Sequence, residues 1–147
     1  MTDRLFDSSN INVIDDADTW QSALQQASEP LLASKAITQL YVNKMIENVQ
    51  SNGPYMVLSD YFALMHARPG EGVNSMGMSL LVSRNPIDLE GKQVKIFLIM
   101  AAVDNSSHLK SLQQVTSIFM DRKAYETILN GNKNEILALF KQKEAVA

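Results

Sequence analysis

Apolar residues recur along this chain at two different periods, and the change from one to the other outlines the fold. Between residues 18 and 32, Trp20, Ala23, Leu24, Ala27 and Leu31 fall on one helical face behind Asp18 as a candidate cap. Pro30 is expected to kink or end the last turn. Behind Thr38, Val42, Met45, Ile46 and Val49 repeat at helical spacing, and Ser51-Asn52-Gly53-Pro54 predicts the stop. The period then drops to two, so residues 55–58, 62–66 and 76–84 read as strands. Asn85-Pro86 is expected to end the third, because proline cannot donate to a ladder. Residues 94–103 are apolar at both parities, the mark of a central strand covered on both faces.

Three more helices follow. One is capped by Ser106 or Ser107 and runs to about Met120, one runs from Asp121 to Asn130-Gly131, and the last spans about 133–141 and buries Ile136, Leu139 and Phe140. Strands in the middle of the chain with helices at both ends give a layered α/β architecture. No repeat, low-complexity run or linker divides the 147 residues, so residues 1–147 read as a single domain whose 46% hydrophobic residues suffice for a core.

Charge and composition narrow the function. Thirteen basic against sixteen acidic residues give a net charge of −3, which offers no footprint for nucleic acid. Cysteine is absent, which excludes disulfide frameworks, thiolate metal sites and cysteine nucleophiles. The first ten residues carry Asp3, Arg4 and Asp7 and lack an apolar core, so they read as neither secretory signal nor anchor, and a cytoplasmic location is expected. Residues 94–103, with Lys95 among them, amount to about half of the roughly 20 residues that cross a bilayer. No membrane insertion is expected.

Attention therefore falls on the two histidines. His66 ends an apolar run and is followed by Ala67-Arg68-Pro69-Gly70-Glu71-Gly72, which places it where a strand becomes a loop. His108 follows Asp104-Asn105-Ser106-Ser107, in the first turn of a helix whose unpaired amides and dipole can hold an anion. Arg68 could supply a two-pronged cation for phosphate or carboxylate. A nucleophilic imidazole, a second histidine, an arginine and a helix N-terminus together suit phosphoryl transfer. From the residues alone, structural roles stay open: His66 as a strand-end core residue, His108 as a cap on the stripe of Leu112, Val115 and Phe119, and Arg68 as a surface charge. No third ligand accompanies the histidines at metal-binding spacing, and GxGxxG, GxxxxGK[ST] and GxSxG are absent, so neither a metal nor a nucleotide cofactor is expected. The eight methionines fit core filling.

The stretch Phe62-Ala63-Leu64-Met65-His66-Ala67-Arg68-Pro69, with Asn52-Gly53-Pro54-Tyr55 before it and Gly72-Val73 after it, resembles the enzyme IIA components of the bacterial sugar phosphotransferase system. The mannitol/fructose superfamily, and within it the ascorbate-type branch, is the match; Ala101-Ala102-Val103-Asp104-Asn105-Ser106-Ser107-His108-Leu109 resembles that family's second histidine segment. The resemblance implies a mixed β-sheet flanked by helices. It implies that His66 accepts phosphate from the carrier protein HPr and passes it to a cysteine on enzyme IIB, with transport through the membrane enzyme IIC. His108 then matches the auxiliary histidine that orients the phosphate. Met65 stands where many relatives have proline, and Asn48 where mannitol-type proteins have an arginine, which leaves Arg68 as the cation for phosphate or partner. The nearest acids, Asp60 and Glu71, are expected to face away, and HPr to dock on an apolar rim of Tyr61, Phe62 and Met65. Within the family the alternative is a regulatory IIA-like sensor of phosphorylation. Outside it, the alternative is a non-catalytic binding module with structural histidines.

Overall fold

The computed structural model describes residues 6, 8–67, 70, 72–104 and 109–146. In chain order the elements are β1 (Ile11–Ile14), α1 (Trp20–Ala33), α2 (Gln39–Asn52), β2 (Val57–Ser59), β3 (Tyr61–Met65), β4 (Gly77–Leu89), β5 (Lys92–Ala101), α3 (Leu109–Met120), α4 (Arg122–Asn130) and α5 (Lys133–Val146). The five strands form one sheet in the order β1-β4-β5-β3-β2. The sheet is mixed: β1 runs parallel to β4 and β3 parallel to β5, while β4/β5 and β2/β3 are antiparallel.

The double apolar parity of β5 is explained by what lies on each side. Phe97, Ile99 and Ala101 point into a core with Trp20, Leu24 and Leu31 of α1 and Val42, Met45 and Val49 of α2. Ile96, Leu98 and Met100 point the other way, onto Val115, Ile118 and Phe119 of α3, Ile128 of α4 and Ile136 and Phe140 of α5. Helices thus cover both faces. The ring of Phe97 is fully buried, and its loss to alanine would cost about 3–5 kcal/mol.

Four local expectations are corrected. The cap of α1 is Thr19, whose hydroxyl accepts from Ser22 N at 3.0 Å, and the helix runs past Pro30 to Ala33. Proline in the last turn deprives only the carbonyl of exposed Gln26 of its partner, which water can replace. Asn85-Pro86 does not end β4. The register shifts between Val82↔Ile96 and Ile87↔Val94, so Pro86 occupies a bulge beyond the reach of β1, which pairs only as far as Ser83. The β4/β5 hairpin turns instead at Glu90-Gly91, both at positive φ (50° and 100°), as a two-residue loop that suits strand twist. Finally, β1 places a strand ahead of the first helix; its four residues are too short to show a period. As expected, Asp121 caps α4, accepting from Lys123 N and Ala124 N.

Candidate functional site

His66 is the first residue beyond β3 and is exposed. Because β3 and β5 are parallel, with Met65 opposite Ile99, their C-terminal ends lie side by side. The chain after β5, through Ala102 and Val103, therefore leaves from the edge where His66 stands, and β4 begins there too, with Gly77 opposite Ala101. An edge formed by the carboxyl ends of strands is where open α/β sheets place their sites.

The imidazole has a defined polarity. Its Nδ1 lies 3.1 Å from the carbonyl oxygen of Leu64. A carbonyl can only accept, so this bond requires the proton on Nδ1, and in the neutral ring the lone pair is then on Nε2. The ring of Tyr55 meets that of His66 edge-on, with centroids 6.4 Å apart.

The loop after His66 is fastened on two sides. Gly70 N donates to Ala102 O at 3.1 Å, tying it to the end of β5. Thr38 N donates to Gly72 O at 2.9 Å, tying it to the start of α2. Thr38 is the N-cap of α2 as expected, but its hydroxyl lies 3.4 Å from Gly72 O and caps no amide of its own helix. Gly72, at φ +76°, lies so close to α2 that a β-carbon there would stand 2.8 Å from Tyr41 N. Between these two ties lies the side chain that sequence reasoning missed. Tyr41, 1% exposed, donates its hydroxyl to Met100 O at 2.6 Å and accepts from Ala67 N at 3.0 Å. Burial raises its pKa above the usual tyrosine value, partly offset by the Ala67 amide. No sequence motif marks it, because its partners are 26 and 59 residues away.

Arg68, His108 and Glu71 lie outside the described residues, as do the candidate caps Ser106 and Ser107. Asp60 stands at the far end of β3, about 20 Å from His66 at strand rise. Its backbone carbonyl there accepts from the hydroxyl of Tyr125. The expected docking rim is wrong. Phe62 and Met65 are buried, Phe62 stacked on Phe119 with centroids 4.2 Å apart, and Tyr61 belongs to the end of β3 opposite His66. Among the described residues, the exposed large apolar side chains on the His66 edge are Leu40 beside Tyr41, Tyr55, Met76 before β4 and Val103 after β5. A hollow of about 470 Å³ lined by Val57, Leu58, Asp60, Tyr61, Lys92 and Gln93 opens at the opposite end of the sheet. An apolar groove of about 300 Å³ lies between β3 and α3. Neither contains His66, whose exposed setting suits a protein surface better than an enclosed small molecule. Among the described residues no three metal-binding side chains converge, and no helix is long and apolar enough to cross a membrane.

Comparison with known proteins finds relatives that match along the whole chain. The chain is 28% identical over 152 residues to the ascorbate-specific PTS system EIIA component of Escherichia coli K12, covering 100% of this chain and 99% of the relative. Its fold matches the mannitol-specific cryptic phosphotransferase enzyme IIA CmtB of Escherichia coli with a TM-score of 0.87 at 26% identity, covering 94% and 96% of the two chains. It also matches the complex of enzyme IIA and phosphorylated enzyme IIB of the Escherichia coli mannitol system, with a TM-score of 0.77 over 93% and 97% of the chains; at 19% identity this likeness is one of fold. Residues 4–143 match the family described as phosphoenolpyruvate-dependent sugar phosphotransferase system, EIIA 2. With that match spanning nearly its whole length, the chain belongs to the EIIA 2 family of phosphotransferase components.

Proposed function

We propose that the chain is a cytoplasmic phosphocarrier in which Nε2 of His66 accepts a phosphoryl group from HPr and passes it to a cysteine of enzyme IIB. The observation that carries this reading is the exposed imidazole whose Nδ1 is engaged by Leu64 O, which leaves Nε2 as the nitrogen with a lone pair. In the first step the Nε2 lone pair forms a bond to phosphorus as the P–N bond to HPr breaks, its electron pair returning to the HPr imidazole. Nδ1 keeps its proton, and the Leu64 carbonyl stabilises the positive charge that the phosphorylated ring acquires. In the second step a thiolate of enzyme IIB attacks phosphorus, and the P–N electron pair returns to Nε2. The absence of cysteine from this chain suits the relay, since the thiol belongs to the acceptor.

Arg68 and His108 have the chemistry to offset charge on the equatorial oxygens of the phosphoryl group in transit. The exposed Leu40, Tyr55, Met76 and Val103 supply a docking rim from which water is excluded as two carriers meet. Enzyme IIC enters only through enzyme IIB. The similarity to ascorbate-specific relatives favours L-ascorbate or a related sugar as the transported compound. The test uses labelled phosphoenolpyruvate with enzyme I and HPr. The chain should take up acid-labile phosphate, lose it on addition of enzyme IIB, and take up none as His66→Ala. A chain that stays unlabelled beside a labelled HPr would overturn the reading.

A further inference from the structure

We infer that Tyr41 is a positioning residue for phosphoryl transfer at His66, its buried hydroxyl holding the peptide that follows the histidine against the end of β5. This rests on the acceptor reading above and adds to it the device that sets the direction of the nucleophile.

The phenol joins three elements. Tyr41 stands in the first turn of α2, its hydroxyl donates 2.6 Å to Met100 O near the end of β5, and it accepts 3.0 Å from Ala67 N directly after His66. One donor and one acceptor are what a phenol offers, and both bonds are made where the ring is 1% exposed. Met100 and Ala67 are themselves buried, so neither partner group has ready access to water. β3 ends at Met65, so the amide of Ala67 is the first after the strand to be held by a side chain, and it belongs to the same peptide unit as the His66 carbonyl. Fixing that peptide plane fixes the backbone from which the imidazole turns back to Leu64 O, two residues earlier. The second attachment of the loop, Gly72 on the backbone of Tyr41 and Thr38, comes to the same turn of α2. The turn of α2 that carries Tyr41 therefore holds the loop at both ends. Replacing the hydroxyl by hydrogen keeps the ring and its packing but leaves Ala67 N and Met100 O without their partner.

The test is Tyr41→Phe, with Ala67→Pro as a second variant that removes the same hydrogen bond from the opposite side. In the wild-type chain the Ala67 amide should exchange at least about a hundredfold slower than a free amide, and ¹⁵N spectra of His66 should show the tautomer with the proton on Nδ1. In the variants His66 should populate both tautomers, and single-turnover transfer from phosphorylated HPr at saturating donor should fall about tenfold with little change in the donor concentration for half-saturation. A loss of thermal stability alone, with tautomer and transfer rate as in wild type, would overturn the inference, as would a freely exchanging Ala67 amide in wild type. If one variant does not fold, the other and the wild-type exchange rate decide. If the wild-type chain accepts no phosphate, the acceptor reading fails, while the tautomer comparison still decides whether Tyr41 orients His66.

Discussion

Replacing Gly72 by alanine tests whether the loop that follows His66 is seated on α2 as described. The substitution has two costs. Alanine at a φ of +76° loses about 1–2 kcal/mol relative to glycine, less about 0.4–1 kcal/mol returned by a stiffer unfolded chain. The new β-carbon would also lie 2.8 Å from Tyr41 N, 3.1 Å from Tyr41 Cβ and 3.2 Å from Thr38 Oγ1. Two of those atoms are fixed in the first turn of a helix, so the loop must move, at a further cost of about 1–3 kcal/mol by analogy with overpacked cores. The net loss should be about 2–4 kcal/mol. Gly91→Ala is the control: it too sits at positive φ, +100°, but has nothing within 4 Å of a β-carbon, so only the backbone cost applies. Urea unfolding followed by the single buried tryptophan, Trp20, and by circular dichroism would give both values. Gly72→Ala should be the less stable by about 1–3 kcal/mol. Equal losses in the two variants would mean that the loop does not rest on α2, and the geometry assigned to the His66 edge would be wrong.

His66→Ala should keep wild-type stability to within about 0.5 kcal/mol, because the ring is exposed, while abolishing labelling; retained label would place the acceptor elsewhere. Arg68→Ala should lose about 2–4 kcal/mol of transition-state stabilisation and Arg68→Lys less, read as single-turnover rates at saturating phosphorylated HPr; an unchanged rate would eliminate a phosphate-binding role. A charge introduced at Leu40 or Val103 should weaken HPr binding, whereas one at Met120, exposed at the C-terminal end of α3, should not; titration by NMR would show the difference, and equal effects would refute the rim. The upward pKa shift of Tyr41, caused first by burial, means that its protonated form stabilises the fold fully below the ordinary tyrosine value of 10.0, and that this contribution fades as pH rises through the folded pKa. The stability difference between wild type and Tyr41→Phe should therefore narrow above about pH 10 in urea titrations, and a difference that widened there would contradict the buried neutral phenol.

Much of this fold is legible because long elements repeat a period. The stripes on α1 and α2 and the double parity of β5 each specify a face, and the faces fit in one way, with helices above and below a central strand. The position of His66 was readable for the same reason, as the residue where an apolar run meets a loop of proline and glycine. The expected docking rim fails on the same physical ground, applied to β3. Phe62 and Ala63 point to opposite faces, and both faces are covered, so Phe62 and Met65 cannot form a rim, while the exposed Tyr61 lies at the end of β3 away from His66. Pro86 misled because a bulge suspends the ladder that proline would break, and a bulge depends on the register of β5. Tyr41 was hidden among the apolar positions of α2, since its value lies in two backbone groups that only the folded chain brings to it.

Whether His66 is the phosphocarrier is decided by the site of the phosphoryl group on the chain charged through HPr, determined by peptide mass mapping at alkaline pH together with ³¹P and ¹⁵N spectra of the intact phosphorylated protein. A single phosphohistidine at His66 is expected, bonded through Nε2, with the proton retained on Nδ1 beside Leu64 O. Phosphate on His108 or on a serine, or on Nδ1 of His66, would contradict it.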